Sequence, residues 1–408
     1  MSVRDPSLSS GTRRGFGRLP DAGAMLVALL LKRLSHGRLT VVTPSGRSVT
    51  HTGAEAGPET SLTLHNWKAL RRVLVGGATG FAEGYLAGDW SAPNLPVLVE
   101  LLALNADRLG RLDNGSAFTR FLRRMTHRGN RNTHDGSRRN IAFHYDLGNA
   151  FYERWLDRGM QYSSAIRVGD DDLEAAQAHK LDRIGSLLNV AGGESVLEIG
   201  CGWGAVSERL AAMNCAVTAV TLSSEQLAYA RDRLDGAGLK ADLRLQDYRD
   251  VSGRFDRIVS IEMIEAVGEE YWPAYFETLR ERLVPGGHAV IQAILISEDR
   301  FEEYRRNPDF IQTHIFPGGM LPTRTEMRKQ AAEAGLNLRH EELHGKSYAW
   351  TLAEWRSRFH AAWGDIEPMG FDARFRRMWD YYLAYCEGGF RAGMIDVGLY
   401  VLERPRES

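Results

Sequence analysis

Cysteine is scarce: Cys201, Cys215 and Cys386 are the three among 408 residues, at unrelated spacings. An odd number so placed supports neither a disulfide framework nor a zinc knuckle, and it suits a reducing compartment. A dominant charge is lacking as well. Lys+Arg number 51 and Asp+Glu 52, a net charge of -1, so no global basic field draws the chain to nucleic acid. The longest apolar run, Ala24 to Leu31 (AMLVALLL), ends at Lys32 and Arg33. It is far shorter than the ~20 residues that span a bilayer. It sits late for a signal peptide and no small-x-small cleavage site follows it. The expectation is a core-facing helix in a cytoplasmic chain. The remaining composition, 43% hydrophobic and 25% charged, is that of a globular protein long enough for two domains.

The pattern divides the chain into four parts. Residues 1–20 are rich in Ser, Gly and Arg and read as a flexible tail. Residues 21–115 read as a small α+β unit. In it LTVVTPSGRSVTHTG suggests a hairpin around Pro44-Ser45-Gly46, and SLTLHNWKALRRVLVGG passes from strand to amphipathic helix. Residues 116–140 hold Arg120, Arg123, Arg124, Arg128, Arg131, Arg138 and Arg139, no Glu and one Asp. This stretch reads either as a solvated linker or as a foot on anionic lipid. From 141 to 408 the rhythm becomes strand, Gly-rich turn, helix, strand, the mark of an α/β sheet. Strands are expected at SVLEIG, AVTAVTLS, DLRLQD, RIVSIEM and HAVIQAIL, with mostly helical, aromatic sequence between about 298 and 390.

VLEIGCGWGA (196–205) carries the clearest chemistry. A strand delivers Glu198 into a tight turn holding Gly200, Gly202 and Gly204, residues that let the backbone take positive φ and approach a ligand. The stretch resembles motif I of class I S-adenosylmethionine-dependent methyltransferases, whose hallmark is an acid two residues before the first glycine. The second strand ends without the acid that usually grips a ribose, leaving Thr221 and Gln226 as neutral partners. Gln246, Asp247 and Tyr248 follow the third strand, where such folds hold the adenine.

HYDLGNAFYERWLD (144–157), MQYSSA (160–165), VTLSSEQ (220–226), DRIVSIEMIEAVGEEYW (256–272), FPGGMLPT (316–323) and YLAYCEGGFRAG (382–393) continue the series in order. With them the chain resembles the cyclopropane-fatty-acyl-phospholipid synthase family, which includes the mycolic acid cyclopropane synthases. The resemblance implies a Rossmann-type methyltransferase domain with a helical lipid-binding lid, preceded by a smaller α+β domain that helps meet the membrane. It also implies a homodimer at the inner face of the cell membrane. The reaction implied is methyl transfer from S-adenosylmethionine to a cis double bond in a phospholipid acyl chain, then proton loss from the cation. Tyr162 and Ser163 are implied as cofactor contacts. A bicarbonate ion is implied as the base, held by Glu265, Tyr348, Ile294, Ser164 and Gln292.

Three positions depart from the family pattern. Its Cys is Ser164, its strand His is Gln292, and the His after its key Glu is Ala266. Gln292 cannot take up a proton. The expected product is a cyclopropane, with bicarbonate still serving on neutral partners; the alternative is a methylene- or methyl-branched unsaturated chain, a furan or branched-lipid precursor. A catalytically weak lipid- or cofactor-binding protein is the reading from outside the enzyme class. The chemistry itself demands a dry channel with electron-rich faces to steady a cation. Tyr162, Tyr271, Trp272, Phe316, Tyr348, Trp350, Trp355, Tyr381, Tyr382 and Tyr385 are the candidates for its wall.

Overall fold

The computed structural model describes residues 22–109 and 147–406. The Arg-rich 116–140 stretch and the 1–20 tail lie outside the described residues.

The first lobe forms around a four-stranded sheet in the order β2-β1-β3-β4. β1 (His36–Val42) and β2 (Ser48–Thr52) pair antiparallel across the expected turn, and β3 (Glu55–Leu64) runs parallel to β1 on its other side. β4 (Trp90–Ser91) closes the edge. Alternation puts Leu39 and Val41 of β1 and Leu62 and Leu64 of β3 on the buried face. Helices Ala22–Leu31, Lys68–Leu86 and Leu95–Leu104 cover it. The first helix is less one-sided than its composition suggests. Ala24, Val27 and Leu31 face the core, whereas Met25 and Leu29 are exposed.

The second lobe holds a seven-stranded sheet, β10-β11-β9-β8-β5-β6-β7. β5 (Ser195–Ile199), β6 (Ala216–Thr221), β7 (Asp242–Leu245), β8 (Phe255–Ile261) and β9 (Leu283–Ile296) are parallel, as the alternation of buried strands and helices implies. The chain leaves β5 on one side through β6 and β7 and returns on the other at β8, so the crevice for a ligand opens beyond the carboxyl ends of β5 and β8. Two strands were not expected from sequence. β10 (Asn337–Leu343) and β11 (Ile395–Glu403) add antiparallel at the β9 edge. β10 (NLRHEEL) carries charge because it is an outer edge, where charged side chains discourage further pairing, and so it lacks a strand's apolar signal.

Helices Glu298–Arg306, Phe310–His314, Gly345–Ala361 and Ala373–Arg391 form a lid between the lobes. Helix Ala373–Arg391 packs on Leu95–Leu104, and the approach is close: a Cβ at Gly388 would lie 2.6 Å from Val99 Cγ1. One hydrophobic core therefore runs from Leu39 and Leu62 of the first lobe through Trp90 to Trp155, Trp355 and Trp379 of the second. Two further clusters fill the faces of the large sheet.

Candidate active site

The glycine turn follows β5 directly. Gly200, Gly202 and Gly204 all have positive φ, of 81°, 51° and 86°. The Gly200 and Cys201 amides both donate to Val220 O, at 3.0 and 3.1 Å, which pins the turn to the neighbouring strand. A Cβ at Gly204 would meet the Ala230 Cβ at 2.9 Å, so that glycine is needed for packing; Gly202 faces open space. Glu198 lies under the turn, with Ser207 Oγ donating to its carboxylate. Burial lifts its pKa to about 8. These groups fit S-adenosylmethionine: an acid facing a cationic ligand, and bare backbone beside it. Thr221 donates to Gln226 at 3.1 Å and both are buried, while Asp247 is paired with Arg249 at 2.6 Å. Gln246 and Tyr248 share the same wall.

Residues expected at the far side of the cofactor are joined by one that sequence reasoning missed. The Ser163 hydroxyl accepts from Lys180 Nζ at 2.7 Å. Lys180 is fully buried in helix Leu173–Leu188 and borders the cavity; desolvation lowers its pKa to about 8, against the opposing pull of Asp157 and Glu262. A lysine inside an amphipathic helix carries no sequence signal of burial. Tyr162 hydrogen-bonds Tyr382 through the two hydroxyls at 2.7 Å.

The expected anion site has a different centre. Ser164 and Gln292 do not reach the cavity wall; they stand behind Glu262. The Ser164 amide and Gln292 Nε2 both donate to Glu262 Oε1 at 2.7 Å, and the Tyr348 hydroxyl donates to Oε2 at 2.7 Å. The Ser164 hydroxyl itself turns away to the Ala165 carbonyl. Glu262 sits at the end of β8 with φ of 48°, a left-handed conformation that costs a side-chain-bearing residue about 1 kcal/mol or more. Its amide is held by Gln292 O at 2.8 Å. The local backbone is thus bent to aim a carboxylate into the cavity.

Glu265 is adjacent. Its Oε1 accepts from the Ile294 amide, and its other oxygen is buried with no hydrogen-bond partner among the described residues. Burial, then the charge of Glu262, raises the Glu265 pKa to about 8. Burial also raises Glu262, but three donors and the charge of Lys180 counter it there, whereas Glu265 has backbone amides alone and the opposing charge of Glu262. Glu262 is therefore the member of the pair that ionises first. Tyr348, buried beside Glu262, stays protonated and remains a donor.

Of the ten aromatic candidates, Tyr162, Phe316, Tyr348, Tyr381, Tyr382 and Tyr385 line the cavity, of about 740 Å³. Tyr271, Trp272, Trp350 and Trp355 do not; Trp272 and Trp355 are core residues. Cys386, read from sequence only as a thiol without a disulfide partner, is also on this wall, and burial holds it protonated.

A family model described as mycolic acid cyclopropane synthetase matches residues 132–399. The chain belongs to this family. The tuberculostearic acid methyltransferase UfaA1 of Mycobacterium tuberculosis is 40% identical over 405 residues, 95% of this chain and 93% of its own. The cyclopropane-fatty-acyl-phospholipid synthase of Escherichia coli K12 is 35% identical over 354 residues, 85% of this chain and 88% of its own. The solved structure of the cyclopropane synthase MmaA2 from M. tuberculosis superposes with a TM-score of 0.61 at 29% identity, covering 65% of this chain and 98% of that one. The mycolic acid cyclopropane synthase CmaA1, solved with SAH and CTAB, gives 0.61 at 27%, with coverage of 65% and 98%. This member of the mycolic acid cyclopropane synthetase family is thus an S-adenosylmethionine-dependent methyltransferase of the cyclopropane-fatty-acyl-phospholipid synthase type that modifies lipid acyl chains. Among its described residues no helix is long and apolar enough to cross a membrane.

Proposed function

We propose that this enzyme methylates the cis double bond of unsaturated acyl chains in membrane phospholipids, with Glu262 as the base, and that the product is a methylene- or methyl-branched chain. The observation that carries the proposal is the convergence of three donors on the Glu262 carboxylate. It stands where the resemblance places a bicarbonate ion, so this reading needs no dissolved anion.

S-adenosylmethionine, when bound, supplies the electrophilic methyl group. Glu198, the glycine turn and Lys180 would hold it, with the buried Lys180 on the cavity wall able to meet its carboxylate. As the alkene attacks the methyl carbon, the methyl–sulfur bond breaks with its electron pair going to S-adenosylhomocysteine, and a carbocation forms on the other alkene carbon. Tyr162, Tyr382 and Phe316 keep that cation among ring faces and away from water. Glu262 then takes a proton. If it comes from the transferred methyl as that carbon bonds to the cation, a ring closes. If a hydride has first shifted between the two chain carbons, the same loss gives a methylene branch. If it comes from a neighbouring chain carbon, a methylated alkene results. The branched outcome is supported by the 40% identical relative, whose name is that of a methyltransferase. Ring closure is the second reading, favoured by the E. coli synthase. Contact with an anionic membrane through the Arg120–Arg131 stretch belongs to the same proposal.

The test uses methyl-labelled S-adenosylmethionine and dioleoyl-phosphatidylglycerol vesicles in bicarbonate-free buffer, with the product read by mass and by proton resonances. Ring-free labelled lipid is expected; cyclopropane protons would decide for the second reading, and no labelled lipid would sink both. Glu262→Gln should lower turnover about 10²–10⁴-fold, the range of general base catalysis, with cofactor affinity kept. Glu262→Gly should regain turnover when bicarbonate is added. Normal turnover of Glu262→Gln would remove Glu262 from the role.

A further inference from the structure

The reaction cavity does not stop at the lid. Its wall includes Phe310 and Tyr381 of the lid, Phe81 and Trp90 of the first lobe, and Leu31, Leu39, Val41, Leu62 and Leu64 in the interior of that lobe. Ring pairs frame the passage: Phe81 stacks on Trp90 with centroids 4.1 Å apart, and Phe310 meets Tyr381 at 4.8 Å. Helix Lys68–Leu86 is broken where it borders this extension. Gly77 has φ 57° and ψ -139°, outside helical values, and Gly76 and Gly77 both lie on the cavity wall. Bare backbone there leaves room that side chains would fill.

The polar groups of the wall are unevenly placed. Along the first-lobe extension they are Thr79 and the Trp90 indole, whose N–H is already given to Phe81 O at 2.8 Å. At the outer rim, by contrast, the wall carries Arg300, Glu303 and Asn307, and Arg300 bridges to Asp107 of the first lobe at 2.6 Å. An ester or phosphate would be desolvated without partners in the extension, at a large cost, and would find partners at the rim. Only plain hydrocarbon suits the inner end.

We infer that the core of the first lobe is the binding site for the methyl-terminal segment of the acyl substrate, the part beyond the double bond, with the ester and head group left at the Arg300 rim. This rests on the acyl-chain reading above. The depth of the extension then acts as a ruler. It fixes how many carbons can follow the double bond when the alkene faces the methyl donor, and so assigns positional selectivity to the first lobe.

Two measurements test it. Vesicles of phosphatidylglycerol whose oleoyl chain ends in a diazirine are bound in the presence of S-adenosylhomocysteine, irradiated, and the labelled peptides mapped. Label within residues 31–41 and 62–81 is expected from the terminal probe, and label near 300–309 from a probe beside the ester. Terminal label confined to residues 345–395 overturns the inference. Separately, Leu39→Trp and Leu62→Trp should cut turnover of the 18-carbon Δ9 chain at least tenfold while sparing a 14-carbon Δ9 chain, which has four fewer carbons to house. Equal effects on both chains, with S-adenosylhomocysteine affinity intact, would also overturn it. If the unaltered enzyme labels neither chain from methyl-labelled cofactor, the functional reading fails instead.

Discussion

Glu262 and Glu198 are both carboxylates whose pKa burial raises, but their partners differ. Glu262 is held by three donors that favour its charge, whereas Glu198 has Ser207 as its side-chain donor and a pKa pushed up to about 8 by burial. At pH 7 Glu198 is mostly neutral in the free protein, and a cationic cofactor binds better to its ionised form. Affinity for S-adenosylmethionine is expected to rise with pH between about 6 and 8, by up to tenfold per unit for one linked proton, and then level off. Calorimetric titration across that range checks it; the slope contributed by this group should vanish in Glu198→Gln. Much of this site was legible in sequence. The tight turn could be read from its glycines, and Glu198, Glu265, Tyr348 and Ile294 from resemblance. Glu262 could not, because the resemblance assigns the partners of a bound anion and no residue that replaces it. The available signal was an acid at the carboxyl end of a central strand, on the edge of the sheet where ligands sit.

Among the elements, the lid helices are tied to the first lobe by a buried aspartate. Asp380 on Ala373–Arg391 accepts from the Tyr85 hydroxyl of the first lobe, from Arg356 Nε at 2.6 Å, and bonds His360 Nε2 at 2.7 Å. Burial raises its pKa, but these partners outweigh that and hold it at about 2. The stabilisation is complete above the ordinary value of 3.8 and is lost as pH falls from there toward 2. Asp380→Asn should destabilise the protein by about 2–3 kcal/mol at pH 7, less than a fully enclosed pair because Arg356 is a quarter exposed. Denaturant unfolding should show it, and amides of helix Lys68–Leu86 should exchange faster; an unchanged midpoint and exchange pattern would deny the tie. The parallel strands were legible from apolar runs bounded by glycine. β10 was not, since its charged edge hides its pairing, and the apolar β11 follows directly on a long helical stretch with no strand beside it in sequence.

At the scale of the molecule, two lobes suggest two folding units, yet one hydrophobic core crosses between them. Thermal unfolding is expected to give a single calorimetric transition, with equal calorimetric and van't Hoff enthalpies. Two resolved transitions would show that the lobes are held only by their surfaces. Composition divides the chain near residue 115, which lies outside the described residues, and nothing in a linear pattern states that the residues of the two lobes share an interior. That shared interior has a kinetic meaning. The two halves are the walls of one reaction vessel, so any breathing between them floods it. In the proposed reaction, the time the halves stay shut sets the longest wait that a positively charged carbon can survive before its proton departs.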